Sequence, residues 1–178
     1  IRGSDPDAAI YWLARLIDGG EEPSFIARRL IISASEDIGL ANPNAMLIAM
    51  ACAEALDRIG WPEGRIPLAE ATIYLATSEK SNSAYLAIDS ALEYVRQSGN
   101  LPVPLHLRNA PTRLMADLDY GKGYKYSHDF PEHFVSQQYL PDKAANTSFW
   151  TPQMHTVHEA KLGERMKRWW KREKFQKD

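Results

Sequence analysis

The glycine-rich stretch from Gly121 to Lys125 is the part of this chain that most resembles a phosphate-binding loop. Such a loop needs a glycine-rich turn, then lysine and a serine or threonine, after a hydrophobic strand. The stretch reads Gly-Lys-Gly-Tyr-Lys and has neither that spacing nor the hydroxyl residue. We therefore predict that the chain itself binds no nucleotide and no other cofactor. The glycines are predicted to supply positive φ angles in a tight turn; the alternative is close backbone approach to a phosphate or a neighbouring subunit.

The chain has five histidines and one cysteine, and their spacing does not indicate a metal or catalytic site. His155 and His158 are three residues apart, but no second ligand pair stands at zinc-like spacing. His128 and Asp129 could form an oriented base and its partner, yet no nucleophile motif accompanies them. We predict no catalytic residue and no metal ligand. A free-standing enzyme that uses His128 and Asp129 is the weakest hypothesis. The favoured interpretation is that these two residues form a turn.

The last twenty residues concentrate positive charge. From residue 159 to residue 178 there are eight Lys or Arg and four Asp or Glu, although the whole chain has a net charge of −2. Basic side chains bind phosphates, and exposed aromatic rings stack on unpaired bases. The alternative is an amphipathic helix whose tryptophans pack on their own domain. A second basic group lies between residues 108 and 125. The candidate nucleic-acid contacts are Arg108, Lys122, Lys125, Arg165, Arg168, Trp169, Lys171 and Arg172.

Two features suggest contact with another subunit. Residues 45–53 read Ala-Met-Leu-Ile-Ala-Met-Ala-Cys-Ala, which is apolar on every face. Such a helix is typical of a protein core, and the alternative is a helix covered in part by another subunit. Two acids precede Gly39, at a helix C-terminus where negative charge opposes the dipole, so they need a basic partner in the fold or on another chain. The candidate interface residues are Glu36, Asp37, Met46 and Met50.

The elements that must position these residues are predicted to be helices. Ser4-Asp5-Pro6 is a helix start, and Gly19, Gly60 and Gly99 mark helix ends. No segment shows the two-residue alternation of a half-buried strand. We predict an all-α fold. It has a helical core over residues 1–103, an irregular Pro-, Gly- and aromatic-rich segment over 104–158 docked on it, and a basic helix or tail over 159–178.

Composition sets broad limits on the class of protein. Hydrophobic residues make up 44% of the 178 residues and charged residues 25%, which are ordinary globular values. A single cysteine, Cys52, excludes an internal disulfide and fits a reducing cytoplasm. No apolar run approaches the roughly 20 residues that span a bilayer, so we predict no membrane partner. Because the chain starts at Ile1 and enters helix-capping sequence at once, we interpret it as part of a longer protein.

Several blocks of sequence occur together in one order. They are Gly3-Ser-Asp-Pro-Asp-Ala-Ala9, Ala34-Ser-Glu-Asp-Ile-Gly39, Lys80-Ser-Asn-Ser-Ala-Tyr85, His106-Leu-Arg-Asn-Ala-Pro-Thr112 and Gly121-Lys-Gly-Tyr-Lys-Tyr126, followed by His128-Asp129. In these blocks the chain resembles the C-terminal region of the replication-associated recombination protein A family (RarA, also called MgsA). The members are AAA+ ATPases related to clamp loaders and to the Werner-helicase-interacting protein.

The resemblance implies an α-helical domain, similar to a clamp-loader collar, that holds the ATPase modules of the parent protein in a tetramer. It also implies that the parent is a DNA-dependent ATPase of the bacterial cytoplasm and nucleoid, working at stalled replication forks. ATP and magnesium would bind its N-terminal module, and single-stranded-DNA-binding protein would be a further partner. No Walker motif, sensor residue or arginine finger has a matching position here, so none is transferred. The stretch beyond His158 departs from the family pattern.

These observations predict an oligomerisation and scaffold domain of an AAA+ replication and recombination ATPase, without enzymatic activity of its own. The alternative is a nucleic-acid-binding module that uses the basic, aromatic C-terminal residues.

Overall fold

The computed structural model describes residues 1–170. No strand occurs in this range, and short 3₁₀ turns connect several of its helices. The all-α prediction is confirmed. The α-helices are α1 (Pro6–Asp18), α2 (Pro23–Ser33), α3 (Asn44–Ile59), α4 (Arg65–Thr77), α5 (Ser83–Ser98), α6 (Arg113–Asp117) and α7 (Val157–Trp169).

Local sequence signals explain most of the helix ends. The Asp5 side chain accepts a hydrogen bond from the Ala8 amide at 2.9 Å, and Pro6 occupies the first turn of α1, where no amide hydrogen is needed. Glycine follows the last residue of α3 and of α5, as predicted. Helix α4 begins at Arg65, and Pro67 lies within its first turn, where proline is tolerated.

The chain divides into two compact units. Unit 1 comprises residues 1–88 and 150–163, and unit 2 comprises residues 89–149 and the described residues from 164 onward. This grouping differs from the predicted three-part division because residues 150–163 pack with the first helices. Within unit 1, His158 Nδ1 lies 2.8 Å from the Leu40 carbonyl oxygen, and Trp150 Nε1 donates to the Ser83 hydroxyl at 3.2 Å.

The core of unit 1 lies among α1, α2, α3 and α4, with α1 packed on α4 and α3 packed on both α2 and α4. Ala45 and Ala49 are fully buried on α3. Their small side chains let the neighbouring helices approach closely, and Leu68 and Leu75 of α4 fill the interior. Helix α3 therefore contributes small residues to the core rather than its methionines.

In the block that ends at Gly39, residues Ala34–Ile38 form a single π-helical turn after α2. The Asp37 carbonyl at this turn accepts a hydrogen bond from the Ser81 amide at 2.9 Å. Gly39 has a φ of 47°, and a Cβ atom there would lie 2.9 Å from the Ser81 carbonyl oxygen. Glycine is required at this position by both its backbone angle and this close approach.

A buried carboxyl group fixes the start of α7 in unit 1. Glu159 has no exposed surface, and it accepts hydrogen bonds from the Ser81 hydroxyl at 2.5 Å and from the Ser83 hydroxyl. Both serines belong to the block Lys80 to Tyr85 that supports the family resemblance. The structure thus gives this block a physical role: it supplies the two donors that satisfy a buried acid.

Unit 2 combines part of α5 with α6 and a series of turns. Tyr94 of α5 packs edge-on against Phe149, with ring centroids 5.6 Å apart, and its hydroxyl donates to the Lys143 carbonyl at 3.2 Å. Gly121 and Gly123 have φ angles of 74° and 79°, which confirms the predicted glycine turn. Side-chain contacts therefore order this segment in spite of its irregular sequence.

Candidate subunit interface and nucleic-acid contacts

Helix α3 has one buried face and one exposed apolar face. Ala45, Ala49, Cys52 and Leu56 face the core of unit 1. On the other side, Met46 is 49% exposed, Leu47 66% and Met50 49%. The prediction of a fully covered core helix is wrong for this chain on its own. The alternative prediction, a helix covered in part by another subunit, remains open and is favoured by this face.

Glu36 and Asp37 have their basic partner inside the same unit. Arg2 Nε donates to Asp37 at 2.5 Å and Arg2 Nη2 to Glu36 at 3.1 Å, while the Ser33 hydroxyl donates to Asp37 at 2.9 Å. The hydrogen bond that Arg2 donates to Asp37, reinforced by the charge of both acids, raises the pKa of the Arg2 guanidinium. Because Arg2 pairs with both acids, they do not need a basic partner on a second subunit. The lack of a partner was the reason for predicting them at an interface, so that reason no longer holds.

Arg108 and Lys122 are both engaged within unit 2. The Arg108 guanidinium donates to the Val103 carbonyl at 2.8 Å and to the Tyr120 hydroxyl at 3.1 Å, and it lies 5.0 Å above the Tyr120 ring. Lys122 donates to Asp119 at 2.8 Å, and this contact raises the pKa of the Lys122 ammonium. Arg108 thus stabilises the turns around it with two of its five N–H donors.

Lys125 is held differently from its two basic neighbours. The amide of Gln137 donates to the Lys125 carbonyl at 2.8 Å, and the Lys125 amide donates back to the Gln137 side chain at 3.2 Å. These bonds fix the backbone, whereas the residue itself is exposed. Among the three basic candidates between residues 108 and 125, Lys125 is the one best placed to meet a phosphate.

The end of α7 packs on its own unit. The Trp169 ring stacks on Phe134 at 5.2 Å with an interplanar angle of 9°, and its Nε1 donates to Glu132 at 2.8 Å. Glu132 also pairs with Arg168 at 3.4 Å. The bond from Trp169, followed by the charge of Arg168, lowers the pKa of the Glu132 carboxyl. Trp169 is therefore unavailable for stacking on a base while these contacts hold, as the alternative interpretation of the tryptophans expected.

The remaining basic candidates fall into two groups. Arg165 is exposed on α7, with its guanidinium 5.9 Å from the Trp169 ring centre. Lys171 and Arg172 lie outside the described residues. The shared nucleic-acid surface of these candidates therefore stays a prediction.

Chemical groups that could support catalysis or metal binding are few. Between residues 1 and 170, no group of three or more His, Cys, Asp or Glu side chains is arranged to hold a metal ion. His128 lies between the rings of Tyr126 and His133, at 5.1 Å and 4.8 Å. Burial, with a smaller contribution from Glu70, raises the pKa of the Cys52 thiol to about 11. In the same range, no helix is both long and apolar enough to cross a membrane.

One feature of unit 1 was missed by the sequence reasoning. A groove between α1 and α2 is lined by large apolar side chains and closed at its base by Thr72. The available signal was Trp12, which stands beside the apolar stripe of α1 and is 61% exposed. Glu159 was also missed, because it lies in a stretch dominated by basic residues.

Comparison with known proteins places the chain in a family. Residues 3–170 match the family described as MgsA AAA+ ATPase C terminal. The chain is similar to replication-associated recombination protein A of Coxiella burnetii, with 46% identity over 167 residues. The same protein of Escherichia coli K12 is 42% identical over 167 residues, and the ATPase WRNIP1 of Dictyostelium discoideum is 42% identical over 150.

The matches cover most of this chain but a minor part of each relative. They span 93% of the chain and 38% and 37% of the two bacterial relatives, and 84% of the chain but 17% of the Dictyostelium protein. A family match over almost the whole chain agrees with the all-α fold and with the ordered sequence blocks. The chain belongs to the family of C-terminal domains of the MgsA, or replication-associated recombination protein A, AAA+ ATPases.

Proposed function

We propose that this chain is the oligomerisation and scaffold domain of an AAA+ DNA-dependent ATPase that acts in DNA replication, recombination and the maintenance of stalled forks. The observation that carries this proposal is the exposed apolar face of α3, formed by Met46, Leu47 and Met50 on a helix whose other face is fixed in the core. A contiguous apolar face on an ordered helix marks a surface that another protein covers. Family membership supports a role in replication-associated recombination.

The proposal assigns the nucleotide chemistry to another part of the parent protein. ATP and magnesium would bind an N-terminal ATPase module, and DNA and single-stranded-DNA-binding protein would be partners of the parent in the bacterial cytoplasm and nucleoid. Four copies of the chain would associate and so hold four such modules together. Its own surface would contribute contacts between copies and no catalytic group.

The mass of the chain in solution tests this proposal. Light scattering at micromolar concentration is expected to give a mass above 20.1 kDa that rises towards four times this value. A strictly monomeric mass over the whole concentration range would contradict the scaffold role. A ligand present at one hundred times its dissociation constant stabilises a folded protein by about 2.7 kcal/mol, which raises Tm measurably. A rise in Tm with Mg-ATP would therefore contradict the prediction that this chain has no nucleotide site.

Nucleic-acid binding is the second candidate function, and the exposed cations Lys125 and Arg165 favour it. Because Trp169 is packed on Phe134, the interaction would rest on charge rather than on base stacking. We expect weak binding of a single-stranded oligonucleotide that falls steeply as salt rises. Fluorescence anisotropy with Arg165→Ala and Lys125→Ala identifies the site, and a salt-independent affinity would refute the electrostatic account.

A further inference from the structure

A short turn of unit 2, residues 131–134, lies against the end of α7, and we call it the covering turn. Trp169 of α7 stacks on Phe134 of this turn, with the ring planes 9° apart, and its Nε1 donates to Glu132 Oε2 at 2.8 Å. Arg168 Nη2 lies 3.4 Å from the same carboxylate oxygen. The covering turn therefore sets an acid and an aromatic ring against a guanidinium and an indole.

These two contacts have the chemistry of a bound nucleotide. A carboxylate opposite an arginine takes the place of a phosphate, since both are anions with oxygen acceptors. A phenyl ring on a tryptophan takes the place of a base, since both present a flat π face for stacking. Glu132 and Phe134 thus occupy the two groups of α7 that a single-stranded nucleic acid would use.

The backbone of the covering turn has an unfavourable conformation. Glu132 and His133 have φ angles of 55° and 52°, in the left-handed region that residues with a side chain rarely adopt. Strained residues of this kind persist only where surrounding contacts hold them, and they cluster at clamps and switch regions. The contacts with α7 must offset this strain, which would be relieved if the covering turn moved away.

The polar contacts of the covering turn are open to solvent. The side chains of Glu132 and Arg168 are 57% and 65% exposed, and an exposed ion pair is weak in water and is screened by salt. A phosphate can therefore compete for Arg168 without opening the core of unit 2. Arg165, which is also exposed, lies 5.9 Å from the centre of the Trp169 ring and supplies a second cation beside it.

We propose that the covering turn is an autoinhibitory contact, which blocks a binding site for single-stranded nucleic acid at the end of α7. When the turn moves away, a base stacks on Trp169 and the neighbouring phosphates meet Arg165 and Arg168. The bound strand then replaces both contacts of the turn. This inference rests on the second candidate function, nucleic-acid binding, and adds to it the stacking residue and the contact that blocks it.

Removing the acid of the covering turn tests this arrangement. Glu132→Ala removes the acceptor of Trp169 and the ionic partner of Arg168. In fluorescence anisotropy with a labelled oligothymidylate, this variant is expected to bind at least about five-fold more tightly than the wild-type chain, because stacking of one base contributes about five-fold to 100-fold in affinity. The ratio of the two affinities should persist as salt rises, since stacking itself releases no counterions.

Asp129→Ala is the matched control, because it removes an equal charge from the same segment. Asp129 is exposed and has no hydrogen bond or ion pair with α7 within residues 1–170. Its loss is expected to change the affinity by less than about two-fold, and salt should abolish that change through screening. The comparison separates release of the covering turn from a general change in charge.

A second substitution shows whether Trp169 is the group that becomes available. Trp169→Ala alone is expected to leave the affinity nearly unchanged, because the ring is already covered, and to remove the gain when it is combined with Glu132→Ala. Circular dichroism checks that each variant is folded. If Glu132→Ala is not folded, Glu132→Gln replaces it, with Asp129→Asn as the control, and a smaller gain is expected because glutamine keeps an acceptor for Trp169.

The outcomes separate this inference from the function on which it rests. If the wild-type chain binds the oligonucleotide but Glu132→Ala gains no more than Asp129→Ala, the autoinhibitory contact is refuted and binding through charge stands. A gain that survives the loss of Trp169 refutes the contact in the same way. If none of these variants binds the oligonucleotide at low salt, nucleic-acid binding by this chain and the autoinhibitory contact are both refuted.

Discussion

Replacing Glu159 with alanine is expected to destabilise unit 1 far more than replacing a surface acid on the same helix. Glu159 is completely buried, and the Ser81 and Ser83 hydroxyls that donate to it are also buried. The substitution leaves both hydroxyls without their acceptor. An unsatisfied buried polar group costs about 1–3 kcal/mol, and Ser83 keeps a contact with Trp150 Nε1. We therefore expect a loss of about 2–5 kcal/mol in the free energy of unfolding.

Thermal and urea unfolding measure this loss directly. For a chain of this size, 1 kcal/mol corresponds to a shift of about 2–4 °C in Tm, so Glu159→Ala should lower Tm by roughly 5–20 °C. Glu164→Ala is the matched control. Glu164 is an exposed acid on the same helix with a surface contact to Lys167 at 3.4 Å, and its loss should change stability by less than about 0.5 kcal/mol.

A triple variant separates hydrogen bonding from simple packing. Glu159→Leu combined with Ser81→Ala and Ser83→Ala removes the acid and both hydroxyl donors together, although it also removes the acceptors of the Ser83 amide and of Trp150 Nε1. This variant is expected to be more stable than Glu159→Ala alone, because no buried hydroxyl is left without its acceptor and leucine fills the space of the glutamate side chain. If Glu159→Ala is no less stable than Glu164→Ala, or the triple variant is the least stable, the reasoning about buried donors and acceptor is refuted.

Three further predictions concern other parts of unit 1. Gly39→Ala is expected to lower the free energy of unfolding by about 1–3 kcal/mol, because φ at Gly39 is 47° and the new Cβ would lie 2.9 Å from the Ser81 carbonyl oxygen. The control is Gly3→Ala, which has open space around it and should leave the stability measured by urea unfolding unchanged. Thr72→Val should raise Tm by a few degrees, because it removes a buried hydroxyl that has no partner among residues 1–170; an unchanged or lower Tm would argue against this. Cys52 should react slowly with a thiol reagent at pH 8 until urea unfolds the chain, because it is buried and its raised pKa of about 11 disfavours the reactive thiolate. Rapid labelling of the native chain would contradict its burial. Because that pKa lies above its unfolded value of about 8.5, the contribution of Cys52 to stability is complete below pH 8.5 and declines as pH rises towards 11.

The sequence by itself determined the helices and the family. Proline after a capping aspartate starts α1, and glycines end several helices, because these effects depend on residues that are neighbours along the chain. The ordered blocks from Gly3 to Tyr126 indicated the family that the comparison confirmed. The glycine turn at Gly121 and Gly123 was equally readable, since positive φ is a property of the residue itself.

Only the tertiary structure decided which side chains are covered and which remain open. Arg2 pairs with Asp37 across 35 positions, and Glu159 meets Ser81 across 78, so no local pattern could show that these acids have partners. An apolar helix such as α3 has no periodicity that reveals its buried face, and that face was set by the approach of α2 and α4 to Ala45 and Ala49. The exposed methionines and the groove floored by Thr72 follow from that packing, because they are the apolar surfaces that the helices of one chain leave uncovered.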